Sequence, residues 1–366
     1  IQNPPPFGCE SSSLSFGTNR DYYLKLQDYD FLLPNELIAR KPPKTRGTSR
    51  LLVLNKELED KTIEDFGKYL NSGDLLVLND TKVLKARLHA RKPTGGSVEV
   101  LIERLLEDNC ALAQAKSNRS LQIGDSVKIE NTTLDIQVLD KKDSLYKIQF
   151  PKSPKKILDM YGMVPLPPYI KRNADIQDEE RYQTVYANEA KEHSVAAPTA
   201  GLHFTKSQLN KIKDRGVKIA YITLDIGLGT FSPIRSENVE DHLMHKEKVS
   251  IDRSTADIIN RVIDSDARVI AVGTTVLRCL ESVYTKFNKL QPYDGETDLF
   301  IYPGYRFGIV DSLLTNFHLP KSSLFILVCA FGGTMQLKSA YKHAVDQNYK
   351  FFSYGDAMLI NKSDGI

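Results

Sequence analysis

The sequence predicts an α/β fold, in which a mixed sheet with helices is interrupted by a small inserted antiparallel β-barrel. Three observations carry that prediction. Short apolar runs, with turn residues between them and little helical spacing, fill residues 63–150. After Pro151 the pattern changes, and strand-like runs at residues 218–224 and 268–272 stand among helix-like ones. A further strand-like run, Leu51-Leu52-Val53-Leu54, precedes the barrel segment. The α/β domain is therefore expected in two pieces, residues 23–62 and 151–366, around an insertion at 63–150.

Residues 1–22 are rich in Pro, Ser, Gly and Asn without apolar periodicity, and are expected to be a disordered tail. With 366 residues the chain can bury a substantial core, and its 41% hydrophobic and 26% charged content is ordinary for a globular protein. No apolar run approaches the roughly 20 residues of a membrane span, so no membrane partner is expected. A net charge of +3 does not announce nucleic acid by itself, so such a partner has to be argued from local patches. Cys9, Cys110, Cys279 and Cys329 lie far apart with no C-x-x-C pair. That argues against a zinc site and a disulfide framework, and suits a reducing, cytoplasmic setting.

In chain order, Pro34 opens a short helix over residues 35–39. A basic, proline-broken loop follows with Arg40, Lys41, Lys44, Arg46 and Arg50, which reads either as a solvated surface or as a phosphate-facing patch. Barrel strands are expected at residues 75–78, 86–90, 98–106, 111–115, 126–129, 134–139 and 146–150, with Thr94-Gly95-Gly96 as a hairpin turn. Lys82, Lys85, Arg87, Arg91 and Lys92 give its first connection a second basic face. Pro154, Pro165, Pro167 and Pro168 mark the connector back to the α/β part, where Gly273-Thr274-Thr275 leads from a strand into a helix at 277–287. Ser322 is a fair N-cap for an apolar helix at 324–331.

Five segments contain residue types that carry chemistry. Ser194-Val195-Ala196-Ala197-Pro198-Thr199-Ala200-Gly201-Leu202-His203 delivers a histidine on small residues that permit close backbone approach. A core histidine in a buried turn is the alternative. Asp225-Ile226-Gly227-Leu228-Gly229-Thr230 looks like a nucleotide loop, but Phe231-Ser232-Pro233 follows where a helix should open, so only the close ligand approach is retained. Asp241-His242-Leu243-Met244-His245-Lys246-Glu247 is a poor metal signature and a better acid and base group, or else a surface helix turn. The helix start at Gly273, Thr274 and Thr275 offers unpaired N–H groups to a carboxylate or phosphate, with Arg278 and Glu281 spaced as an ion pair. Asn316 and His318 lie in a polar loop before the apolar helix.

Nine ordered blocks between about Leu24 and Ile360 make the chain resemble the S-adenosylmethionine:tRNA ribosyltransferase-isomerase family of queuosine biosynthesis. They include GDLLVLNDTKVLKARL, SVAAPTAGLHFT, ITLDIGLGTFSP, HLMHKE, RVIAVGTTVLRCLES, FIYPGYRF and VDSLLTNFHLPKSSL. The resemblance implies a cytoplasmic, monomeric enzyme with an α/β catalytic domain interrupted by a barrel, no metal and no permanently bound cofactor. S-Adenosylmethionine is then the ribosyl-donating substrate. The acceptor is 7-aminomethyl-7-deazaguanine at the wobble position of a tRNA with a GUN anticodon, and the products are epoxyqueuosine, adenine and methionine. The proton transfers such a reaction needs are expected of His203, His242, His245 and Glu247 as catalytic residues. Substrate binding would fall to Gly201, Asp225, Gly227, Gly229, Thr230, Gly273, Thr274, Thr275, Arg278, Glu281, Asn316 and His318. Arg40, Lys41, Arg46, Arg50, Lys82, Lys85 and Arg87 would face the tRNA. His193 and Asp225 depart from the family's usual glycine and histidine. A conventional RNA methyltransferase and a catalytically silent RNA-binding homologue stay open as alternatives.

Overall fold

The computed structural model describes residues 23–227 and 234–363. The expected tail at 1–22, and Gly229 and Thr230 of the glycine-bearing loop, lie outside the described residues. The strands are β1 (Arg50–Leu54), β2 (Leu58–Thr62), β3 (Leu75–Asn79), β4 (Lys82–Val83), β5 (Arg87–Arg91), β6 (Ser97–Leu105), β7 (Cys110–Ser117), β8 (Ser126–Ile129), β9 (Asp135–Lys142), β10 (Leu145–Gln149), β11 (Glu192–Ser194), β12 (Lys218–Asp225), β13 (Glu247–Ile251), β14 (Val269–Val272), β15 (Tyr293–Thr297), β16 (Ser312–Asn316) and β17 (Ala357–Asn361). The helices are α1 (Pro154–Tyr161), α2 (Ile176–Arg181), α3 (Lys206–Asp214), α4 (Arg253–Ile263), α5 (Thr274–Phe287), α6 (Ser323–Gly332) and α7 (Thr334–Asp346).

Nine strands form one mixed sheet in the order β15-β13-β12-β3-β14-β16-β17-β1-β2. Its centre, β12, β3, β14 and β16, is parallel, and antiparallel neighbours finish both flanks. Central strands are apolar without alternation because both faces are covered. Leu75 and Val77 pack with Val276, Leu277 and Leu280 of α5 on one face. Leu76 and Leu78 pack on the other with Phe66, Leu209 and Ile212.

The barrel closes in the order β10-β7-β6-β5-β8-β9. Its core is built by alternation: Val98, Val100 and Ile102 of β6 point inward against Ala111, Ile136 and Ile148, while the residues between them face outward. One expected barrel strand belongs elsewhere. Residues 75–78 form β3, in the middle of the nine-stranded sheet and paired with β12 and β14. The reason is visible in its pattern, since a half-buried barrel strand alternates and Leu75-Leu76-Val77-Leu78-Asn79 is buried throughout. The barrel strands themselves run from Arg87 to Gln149.

Short β4 and β11 pair in parallel where the chain leaves the sheet and returns to it. The run at 35–39 is a 3₁₀ turn, Asn35–Leu37, rather than a longer helix. Helix α6 starts at its predicted cap, with Ser322 Oγ accepting the Phe325 N–H. It is apolar all round because it is a core helix, packed through Phe325, Ile326, Val328 and Phe331. Among the described residues no single helix is long and apolar enough to cross a membrane.

Candidate active site

Two adjoining hollows open beyond the carboxyl ends of the central strands, where open α/β sheets place ligands. The smaller, of about 50 Å³, is lined by Ala197 to Ala200, by Gly273, Thr274 and Thr275, and by Asn316 and His318. The larger, of about 660 Å³, separates the barrel from the sheet. Arg104 and Leu112 line its barrel side, and His193, Asp225 and Glu247 its sheet side. Ile226 borders both hollows.

Strand β14 builds the small pocket by ending at Gly273, whose φ of 96° turns the chain sharply into α5. The first turn of a helix leaves N–H groups without intrahelical partners and carries the positive end of its dipole. Here that turn borders the pocket, and the Thr275 hydroxyl beside it is buried with no hydrogen-bond partner among the described residues.

The opposite wall is a relay. Thr199 Oγ1 donates to Asn316 Oδ1 at 3.0 Å, Asn316 Nδ2 donates to His203 Nε2 at 3.1 Å, and His203 Nδ1 meets Ser49 Oγ at 2.9 Å. The amide donor leaves Nε2 as the acceptor, so the ring proton sits on Nδ1 and points to Ser49. Burial, with Arg46 nearby, pushes His203 down to about 4. His318, bonded through Nε2 to Thr315 Oγ1, is pushed down to about 3 by burial. Both are therefore neutral in the resting protein at neutral pH. His203 combines the two readings of its segment: it is a satisfied core histidine and it holds Asn316 at the pocket.

The other expected residues scatter in instructive ways. Arg278 and Glu281 are fully buried and do not form a surface pair. Arg278 is ion-paired with Glu247 on β13 and donates Nε to the Leu299 carbonyl at 3.1 Å. Glu281 accepts the N–H groups of Gly308, Ile309 and Val310. A Cβ at Gly201 would collide with the Tyr186 hydroxyl, so that glycine serves packing within the protein. Gly227 lines the large cleft, with no atom of the described residues within 4 Å of a Cβ placed there. His242 and His245 lie on an irregular stretch before β13, not on a helix turn. His242 stacks edge-on against Phe300, and burial followed by the nearby His245 lowers its pKa. His245 is exposed.

Among the basic residues, Arg40 and Lys41 are exposed. The rest are occupied internally: Arg46 by the carbonyls of Gln183, Leu202 and Glu180, Arg50 by Asp60 and the Tyr349 ring, Lys82 by Glu189 and Glu192, Lys85 by Glu179, and Arg87 by the Leu166 carbonyl.

Sequence reading missed the Asn79-Asp80-Thr81 turn after β3. Asn79 exchanges two hydrogen bonds with Leu224, Asp80 accepts from Thr223 Oγ1 at 2.8 Å and pairs with Lys191, and Thr81 reaches Asp225. Polar residues ending an unalternated apolar strand were the available signal.

A family model described as queuosine biosynthesis protein matches residues 26–360. An S-adenosylmethionine:tRNA ribosyltransferase-isomerase of Vesicomyosocius okutanii is 49% identical over 344 residues, covering 94% of this chain and 100% of that protein. The protein of the same description from Francisella tularensis is 47% identical over 343 residues, covering 92% of this chain and 99% of its own length. The solved S-adenosylmethionine tRNA ribosyltransferase of Thermotoga maritima is similar with a TM-score of 0.53 and 32% identity, over 91% of this chain and 99% of that one.

Proposed function

Because the chain belongs to the queuosine biosynthesis protein family, as an S-adenosylmethionine:tRNA ribosyltransferase-isomerase, we propose that its two hollows divide the two substrates between them. The observation that supports this division is their size and adjacency: a pocket of about 50 Å³ at a helix start shares Ile226 as a lining residue with a cleft of about 660 Å³. The small pocket takes only the end of a donor. A methionine carboxylate suits the N–H groups and the Thr274 and Thr275 hydroxyls at the start of α5. The remainder of S-adenosylmethionine then extends past Ile226, and the wobble nucleotide of the tRNA enters the cleft from the barrel side.

The reaction we assign is transfer and rearrangement of the ribosyl part of S-adenosylmethionine onto 7-aminomethyl-7-deazaguanine, giving epoxyqueuosine in tRNA, adenine and methionine. A sulfonium acidifies the neighbouring C5′ and makes methionine a leaving group. The chemistry therefore asks for a base near that carbon, an acid near adenine and an acceptor for the amine's proton. Asn316 and His318 orient the donor in this scheme, with His203 holding Asn316. His242, His245 and Glu247 are the proposed proton carriers, Glu247 starting from its ion pair with Arg278. Arg40 and Lys41 are the proposed phosphate contacts.

Incubation with S-adenosylmethionine and tRNA carrying the aminomethyl base, followed by mass analysis of nucleosides and small products, tests the reading. Free adenine and methionine together with the cyclopentane epoxide are expected. S-Adenosylhomocysteine would instead identify a methyltransferase, and RNA binding without adenine release a silent homologue.

A further inference from the structure

The sheet wall of the large cleft contains a carboxylate, Asp225, whose nearby lysines and arginine contact other acids. Asp225 ends β12 and is half-buried, with the Thr81 hydroxyl donating to Oδ1 at 3.2 Å. Lys248, its partner residue across the β12 and β13 ladder, pairs with Asp294 at 3.7 Å. Arg104, reaching over from the barrel, pairs with Glu296 at 3.7 Å. Lys191, beside the same turn, is held by Asp80 at 2.9 Å. Among the described residues no ion pair within 4 Å reaches Asp225, and His193 on β11 shares its wall of the cleft. A half-buried carboxylate with one hydroxyl partner among the described residues is stabilised by an incoming cation that also donates hydrogen bonds.

The cleft's volume is within the roughly 300–1,000 Å³ range of ligand pockets and accommodates a nucleotide. We infer that Asp225 is a specificity residue that binds the primary ammonium of the acceptor base, and so distinguishes the aminomethylated wobble nucleotide from an ordinary guanine. This rests on the functional reading above. It adds that discrimination is made by one carboxylate on the sheet side of the cleft.

The test compares two forms of one tRNA, with 7-aminomethyl-7-deazaguanine or guanine at the wobble position, by competition binding to the native protein and to Asp225→Asn and Asp225→Glu. The native protein should prefer the aminated tRNA by about tenfold or more, the scale of one charge-assisted hydrogen bond. Asp225→Asn should bind both within about twofold, while Asp225→Glu, which keeps the charge, retains part of the preference. S-Adenosylmethionine affinity, measured by calorimetry, should change little in either variant. A purely structural loss would weaken both RNAs alike and leave their ratio intact, and that result overturns the inference. So does a native protein without preference, or a preference that survives in Asp225→Asn. These outcomes are separate from failure of the functional reading, which would appear as a native protein that makes no epoxide from the aminated tRNA.

Discussion

His203 and His318 sit at the site with folded pKa values pushed down to about 4 and about 3, well below the ordinary value near 6.5. Well above pH 6.5 both are neutral whether the chain is folded or not, and neither affects stability through titration. As pH falls below 6.5 the unfolded chain takes up protons that the folded one refuses, so stability drops until the folded pKa values are reached. The loss should amount to about 3 kcal/mol for His203 by pH 4. In urea titrations from pH 7.5 to 4, His203→Gln should show a shallower decline than the native protein, and an identical slope would refute the assignment. Such a pairing was only half legible in the sequence. Small residues around His203 signalled a constrained place, but Asn316 and Ser49 are distant in the chain and nothing local announces them. Arg278 shows the same limit, since its spacing suggested Glu281 while the fold supplied Glu247.

Helix α5 joins the pocket to the loop that precedes β16. Its first turn borders the pocket, and two turns later Glu281 gathers three successive backbone N–H groups of residues 308–310. Burial raises the carboxyl's pKa and the three N–H donors oppose that, so the charge is tolerated because the backbone is arranged around it. Glu281→Gln keeps the shape but turns an NH₂ toward donors. It should destabilise the protein by roughly 1.5–3 kcal/mol in denaturant titration, and an unchanged midpoint would show that these three hydrogen bonds contribute nothing. This helix was readable because strand, glycine and threonines announce a sharp turn into a helix start. The central strand β3 was misassigned to the barrel, since an apolar run beside barrel strands takes its neighbours' assignment unless its lack of alternation is weighed. Edge strands β2 and β15 are short and mostly polar, and their pairing is set by the rest of the sheet.

For the whole molecule, net charge alone gives electrostatic attraction to RNA little to draw on. It is +3, and five of the seven expected tRNA contacts are paired with groups of the protein itself, Arg50, Lys82 and Lys85 in partly exposed ion pairs. Arg40 and Lys41 remain exposed on one loop. Replacing both by alanine should reduce the salt dependence of tRNA binding, as the slope of log affinity against log salt, by about 1–2 units. Replacing Arg46 should instead lower thermal stability, because its guanidinium donates to three carbonyls. A salt slope unchanged in the double variant would move the RNA contact elsewhere.

The placement of the barrel strands between β4 and β11 also sets an order of events during synthesis. Each hairpin of the barrel is closed by residues near in sequence, so that unit can assemble as soon as Gln149 has left the ribosome. The large sheet cannot, for Leu51 of β1 pairs with Ala357, almost at the other terminus. While translation continues, the early apolar strands β1 and β3 wait for late partners, exposed to chaperones and to wrong neighbours. A truncation that spares every proposed ligand contact but removes β17 therefore deprives β1 and β16 of a shared neighbour, and aggregation rather than a partly active enzyme is its natural result.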